Sequence, residues 1–122
     1  MEALTLELPY PPSVNHYWRR VGARTLISRE GRRFRRSVCA RLAVRTAPPM
    51  TGRVAVRVAA HPPDRRRRDL DNAMKALLDA LAHGGVYEDD GQIDRIEIER
   101  GAVTPGGKVV VRIAPLDREA AA

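Results

Sequence analysis

The sequence predicts a single α+β domain, in which a small mixed or antiparallel sheet carries two main helices. Three observations lead there. Strand-length stretches alternate apolar and polar residues, and none is a continuous apolar run, the pattern of strands covered on one face only. Two longer stretches repeat apolar residues at helical spacing. A chain of 122 residues with no internal repeat and no inter-domain linker has room for one core, so residues 1–122 form one unit.

Leu4-Thr5-Leu6-Glu7-Leu8 alternates strictly and predicts a half-buried strand, stopped by Pro9, Pro11 and Pro12. Residues 13–22 read as a loop, and 24–27 as a short strand. Ser28 is placed as the N-cap of a helix running to about residue 45, with Phe34, Val38 and Leu42 on its apolar face and Arg29, Arg32, Arg33 and Arg36 on another. Gly31 should weaken its first turn. Val54, Val56 and Val58 alternate with Ala55, Arg57 and Ala59 in a second strand, closed by Pro62 and Pro63. Leu70, Ala73, Met74, Leu77, Leu78 and Leu81 then mark a second helix, with Asp69 at its N-cap and Gly84-Gly85 as its stop. Ile96 and Ile98 predict a strand out of phase with Ile93, hence a bulge or a later start. Pro105-Gly106-Gly107 turns the chain into a last strand over 108–114, and residues 116–122 read as a frayed tail.

Composition narrows the function classes. The lone Cys39 can form no internal disulfide and lacks zinc-site companions, so it reads as a small buried apolar side chain. His16, His61 and His83 have no ligand spacing. The start reads as a strand rather than a secretory leader, and no apolar run reaches membrane-spanning length; a cytoplasmic, nucleoid-associated protein with no membrane partner is expected. No glycine-rich phosphate loop precedes a helix, so a nucleotide cofactor is not expected. The net charge of +7 is regional: residues 19–45 hold ten arginines against one acid, Glu30, whereas the rest holds twelve basic and fourteen acidic residues. An arginine-rich proteome explains arginine over lysine, but not the missing acids. A polyanion-docking surface explains both.

The chemistry concentrates in one string. Arg65, Arg66, Arg67 and Arg68 lead directly into Asp69-Leu70-Asp71-Asn72 and then Lys75. Arginines attract phosphate and carboxylates repel it, so their juxtaposition makes sense when a divalent cation sits between carboxylate and phosphate. Asp71 and Lys75, four apart, share a polar flank of the helix, and Asp69 can converge with Asp71 only from a non-helical N-cap conformation. Magnesium typically takes one or two carboxylates and lets substrate phosphate supply further oxygens. A third acid would come from Glu88, Asp89 or Asp90, and spacing does not choose among them. The competing account is a non-catalytic junction- or nucleic-acid-binding protein whose acids are structural.

With these residues assembled, the chain resembles the RusA family of Holliday-junction resolvases over about residues 8–111. The resemblance rests on Leu8-Pro9-Tyr10-Pro11-Pro12-Ser13 with Asn15 and Tyr17, on Ser28-Arg29-Glu30-Gly31, and on Pro63-Asp64 leading into the arginine–Asp69-Leu70-Asp71-Asn72 string with Lys75. Asp79-Ala80-Leu81, Asp89-Asp90 and Thr104-Pro105-Gly106-Gly107 complete it. It implies a homodimeric endonuclease using Mg²⁺, with Mn²⁺ as a substitute, that nicks two opposing strands of a four-way DNA junction in recombination and repair. It places the catalytic acids and metal ligands on Asp69, Asp71 and Asp90, and the essential lysine on Lys75. Arg65, Arg66, Arg67 and Arg68, with Arg29, Arg32, Arg33 and Arg36, are expected to hold DNA phosphates. Gly85-Val86-Tyr87 departs from bulkier residues found there in the family, leaving Tyr87 as the aromatic on offer to a junction centre.

Overall fold

The computed structural model describes residues 3–45 and 47–116. Among these residues six strands and three α-helices follow in the order β1 (Leu4–Leu8), α1 (Val14–Tyr17), β2 (Trp18–Val21), β3 (Arg24–Ile27), α2 (Arg29–Leu42), β4 (Val54–His61), α3 (Met74–His83), β5 (Ile93–Arg100) and β6 (Lys108–Pro115). Short 3₁₀ turns occupy Leu70–Ala73 and Asp90–Gln92. The main sheet has the order β1-β6-β4-β5. β6 is antiparallel to both β1 and β4, whereas β4 and β5 are parallel, joined through α3, so the sheet is mixed.

Register explains the core. Leu4, Leu6 and Leu8 pair with Ile113, Val111 and Val109, and the same β6 residues pair with Val56, Val58 and Ala60 of β4. Side chains directly opposite share a face, so this is one continuous apolar surface. Phe34, Val38 and Leu42 of α2 and Leu77, Ala80 and Leu81 of α3 join it in a single cluster. The other face is polar, with Arg57 bonded to Glu97 and Lys108 near Glu7. Between Val54–Ile93 and Ala55–Arg95 the pairing skips Asp94, the bulge that the phase of Ile93 predicts, and Arg53 pairs with the Asp94 carboxylate.

Several local expectations change. Residues 13–22 are not a loop: one helical turn, α1, leads into β2, which pairs with β3 from Trp18–Ile27 to Val21–Arg24. Arg19 and Arg20 hide β2 from an alternation test because both faces of this small ribbon are largely solvated. α2 ends at Leu42 rather than near residue 45, and Cys39 is only half-buried. The helix after Asp69 opens with a 3₁₀ turn before α3. Of the tail, Leu116 donates its N–H to Arg53, and residues 117–122 lie outside the described residues.

Gly31 carries a role that helix propensity conceals. A Cβ there would stand 2.5 Å from the Tyr17 carbonyl oxygen and 2.9 Å from Ile27 Cγ1. Its absence lets α2 close onto the end of α1, while Ser28 caps the helix by accepting from the Gly31 N–H. Gly31→Ala should therefore destabilise the fold by about 1–3 kcal/mol, as overpacking does, despite a gain of roughly 1 kcal/mol in helix propensity. A lower urea midpoint at unchanged m would register it.

Candidate active site

The arginine run leaves β4 as an ordered loop because one acid folds it. Asp64 accepts from the Arg66 N–H at 2.9 Å and from Arg68 Nη1 at 2.6 Å. The Arg68 hydrogen bond, then that from Arg66, draws the Asp64 carboxyl down to about 2. Arg68 also donates to the Arg66 carbonyl, lies 6.0 Å from the centre of the Tyr10 ring, and has its own carbonyl held by Arg100 Nη2 at 2.8 Å. Arg68 is thus the loop's brace. Arg65, Arg66 and Arg67 are exposed, and Arg66 keeps only a 3.5 Å contact to Asp64.

The chain then enters the 3₁₀ turn. Asp69 has the extended backbone that convergence with Asp71 requires (φ −87°, ψ 133°), and its side chain caps nothing. Asp71 lies in the turn and Lys75 is the second residue of α3; all three are exposed. Among the described residues the side chains of Asp69, Asp71 and Lys75 make no hydrogen bond or ion pair, so Asp71 and Lys75 are neighbours without being partners. In contrast, Asp64, Asp79, Asp94, Glu7 and Glu97 are all paired with cations.

At the other end of α3, Asp89 accepts from the Gly91 N–H and forms a capping box with Gln92. Gln92 receives the N–H groups of Glu88 and Asp89 and donates to the Met50 and Gly52 carbonyls, both at 2.9 Å. Asp89 is thereby committed to the turn. The Asp90 side chain is bonded to nothing among the described residues. Tyr87, wholly buried, donates to the Leu78 carbonyl; burial first, then the charges of Asp90, Asp79 and Asp89, raise its phenol above the ordinary tyrosine value. It is a core residue and cannot reach DNA. Trp18 packs edge-on against Tyr17 at 5.0 Å.

The fold therefore gathers Asp69, Asp71 and Lys75 at the start of α3 and sets Asp90 beyond its end, where it shares a small cavity with Asp79 and His83. Ten helical residues span about 15 Å. Among the described residues no three His, Cys, Asp or Glu side chains stand close enough to hold a metal ion. Asp69 and Asp71 nevertheless suit a hard cation: they offer oxygen donors only, already free of protein partners, to an ion that accepts one or two carboxylates and completes its shell with water and phosphate.

Of the basic residues on α2, Arg29, Arg32, Arg33 and Arg36 are exposed, and Arg32 donates to the Ile27 carbonyl. Arg33 faces a cleft whose opposite walls include Arg66, Arg67, Asp69 and Asn72. No helix among the described residues is long and apolar enough to cross a membrane.

Open carboxylates and a lysine at a helix start, beside exposed arginines, define a protein equipped to handle phosphodiesters. The chain belongs to the RusA endodeoxyribonuclease family, whose model, described as Endodeoxyribonuclease RusA, matches residues 9–114. It is 45% identical over 111 residues to a crossover junction endodeoxyribonuclease of Enterobacteria phage HK97, covering 90% of this chain and 92% of that one. It is 39% identical over 124 residues to the crossover junction endodeoxyribonuclease RusA of Escherichia coli K12, covering 98% and 100%, and 40% identical to that of Shigella sonnei over the same shares. The chain is thus a nuclease by family.

Proposed function

We propose that this nuclease is a Mg²⁺-dependent resolvase of four-way DNA junctions, acting as a homodimer that makes paired nicks. The observation that carries this reading is the start of α3: among the described residues Asp69, Asp71 and Lys75 stand together there, exposed and without partners, beside the exposed Arg65, Arg66 and Arg67.

Asp69 and Asp71 would hold the cation against the scissile phosphate. When bound, Mg²⁺ (or Mn²⁺) supplies charge neutralisation at the phosphate and lowers the pKa of nearby water. The ammonium of Lys75 offers three donors and a positive charge to phosphate oxygens as they gain charge. Arg65, Arg66 and Arg67 contact phosphates beside the cut, and the exposed arginines of α2 extend the grip along the arms. Such contacts position DNA without reading sequence and make binding salt-sensitive. Arg67→Ala should weaken junction binding and lower the slope of log K against log[salt] by about 1. Filter binding across a salt series measures it, and an unchanged slope would make Arg67 ordinary surface.

The arrangement of the acids gives the dimer a chemical reason. Among the described residues Asp69, Asp71 and Asp90 do not form one group able to hold a metal ion, so the third carboxylate at each site would be the partner's Asp90. Mixing two inactive variants, Asp71→Asn and Asp90→Asn, tests this. Mixed dimers that share acids between copies regain one intact site in two and nick one strand. Mixtures as inactive as either parent would place all three acids in one chain.

A further inference from the structure

A sizeable cavity lies beside the free acids rather than between them. It is a cleft of about 910 Å³, bounded by the proline-rich segment after β1, by one side of α2, and by the arginine loop as it runs into Asp69 and Asn72. That volume falls at the upper end of the range for small-ligand pockets. Its walls divide by chemistry. Tyr10, Pro12 and Phe34 supply aromatic and apolar surface, Ser37 and Asn72 supply hydrogen-bonding groups, and Arg33, Arg66 and Arg67 supply positive charge. The Tyr10 ring is held in place by Arg68, itself fixed by Asp64.

We infer that this cleft receives the nucleobase of a nucleotide adjacent to the cleaved phosphate, drawn out of the stack, and that it contributes to the choice of cutting position. This rests on the function proposed above. Asp69 belongs both to the free acids and to the cleft wall, so a strand whose phosphate lies at Asp69 has its neighbouring nucleotide at the cleft mouth. Arg33 and Arg66 complement the phosphates on either side of that nucleotide, and the Tyr10 face offers its base a stacking surface. The Asn72 amide presents donors and an acceptor together, and so can distinguish base edges. A junction's exchange point suits such capture because withdrawing a base costs least where stacking is already interrupted.

The experiment combines substrate and protein changes. Junctions carry an abasic nucleotide on the 5′ or the 3′ side of the cut, and single-turnover cleavage is measured for the wild type, Tyr10→Ala and Ser37→Trp, the last intended to fill the cleft from α2. Wild type should cut one abasic junction about 5- to 150-fold more slowly than the intact one, the range for losing a base–aromatic stack. Tyr10→Ala and Ser37→Trp should be slowed on the intact junction and lose little more on that abasic one. The inference is overturned if wild type cuts both abasic junctions at the intact rate, or if both variants lose the same factor on abasic and intact DNA. The wild-type comparison decides even if a variant fails to fold. An absence of cutting on the intact junction by wild type would instead contradict the proposed function.

Discussion

Asp71→Asn should abolish junction cleavage, by at least about 10²-fold in single-turnover rate, or roughly 2.7 kcal/mol of transition-state stabilisation, while leaving junction binding intact in Mg²⁺-free buffer. The substitution keeps size and shape and removes charge. Because the Asp71 carboxylate is exposed and bonded to nothing among the described residues, no fold contact is lost with it. A drop in activity can then be assigned to chemistry rather than to unfolding, provided that the thermal midpoint is unchanged. Binding should tighten slightly if it changes at all, since a negative charge leaves a surface that meets phosphate. Cleavage at the wild-type rate would remove Asp71 from the site, and the metal reading with it.

Asp79→Ala should give the largest loss of stability among the polar substitutions, about 2–4 kcal/mol, below the top of the range for breaking a buried pair because roughly a quarter of each side chain is exposed. Asp79 ties three segments together. The buried Tyr17 phenol donates to it, Arg35 Nη2 on α2 donates at 2.7 Å, and His83 lies 4.0 Å from its other oxygen. Among the described residues Arg35 Nε is already buried without an acceptor, and losing Asp79 would also take away the carboxylate that Arg35 Nη2 donates to. Burial pushes the Tyr17 phenol up to about 12, with the Asp79 hydrogen bond adding to the rise. For Asp79, burial favours the neutral acid, but the hydrogen bonds from Tyr17 and Arg35, helped by the Arg35 charge, outweigh it and hold the carboxyl below its ordinary value. Its folded pKa is lower than its unfolded one, so its contribution is fully present above the unfolded value near 3.8 and is lost as pH falls through the folded value. Wild type should lose stability more steeply than Asp79→Asn as pH drops below about 4. Parallel acid-unfolding curves would show that the carboxylate contributes nothing through its charge.

The ladder and the main helices were legible because their signals are local. Val54, Val56 and Val58 alternate, and Phe34, Val38 and Leu42 recur every four residues, whatever lies elsewhere. Even the irregularity at Asp94 could be read from the phase of Ile93. β2 was not legible, since Arg19 and Arg20 follow no period and the strand exists through its pairing with β3. The Tyr17–Asp79 bond closes across 62 residues, a separation that no local pattern encodes. Within the site, the string from 65 to 75 identified the acids and the lysine now found unpartnered, but not the role of Asp64, whose clamp on Arg66 and Arg68 depends on the loop's own geometry. One missed signal was present. Asp89 and Gln92 have capping-box spacing, which commits Asp89 to the turn and leaves Asp90 open. The separation of Asp90 from Asp71 could not be read from spacing, because it depends on β4 and β5 being parallel and α3 running between them.

The central claim, that these free acids make the chain a metal-dependent junction resolvase, is tested most directly by a gel assay. A synthetic four-way junction and a linear duplex of the same sequence are each incubated with the protein in Mg²⁺ and in EDTA. The junction alone should be converted to nicked linear products, by cuts placed symmetrically in opposing strands, in Mg²⁺ and not in EDTA. A retarded junction that stays uncut in Mg²⁺, or cutting that persists in EDTA or falls equally on the duplex, would contradict it.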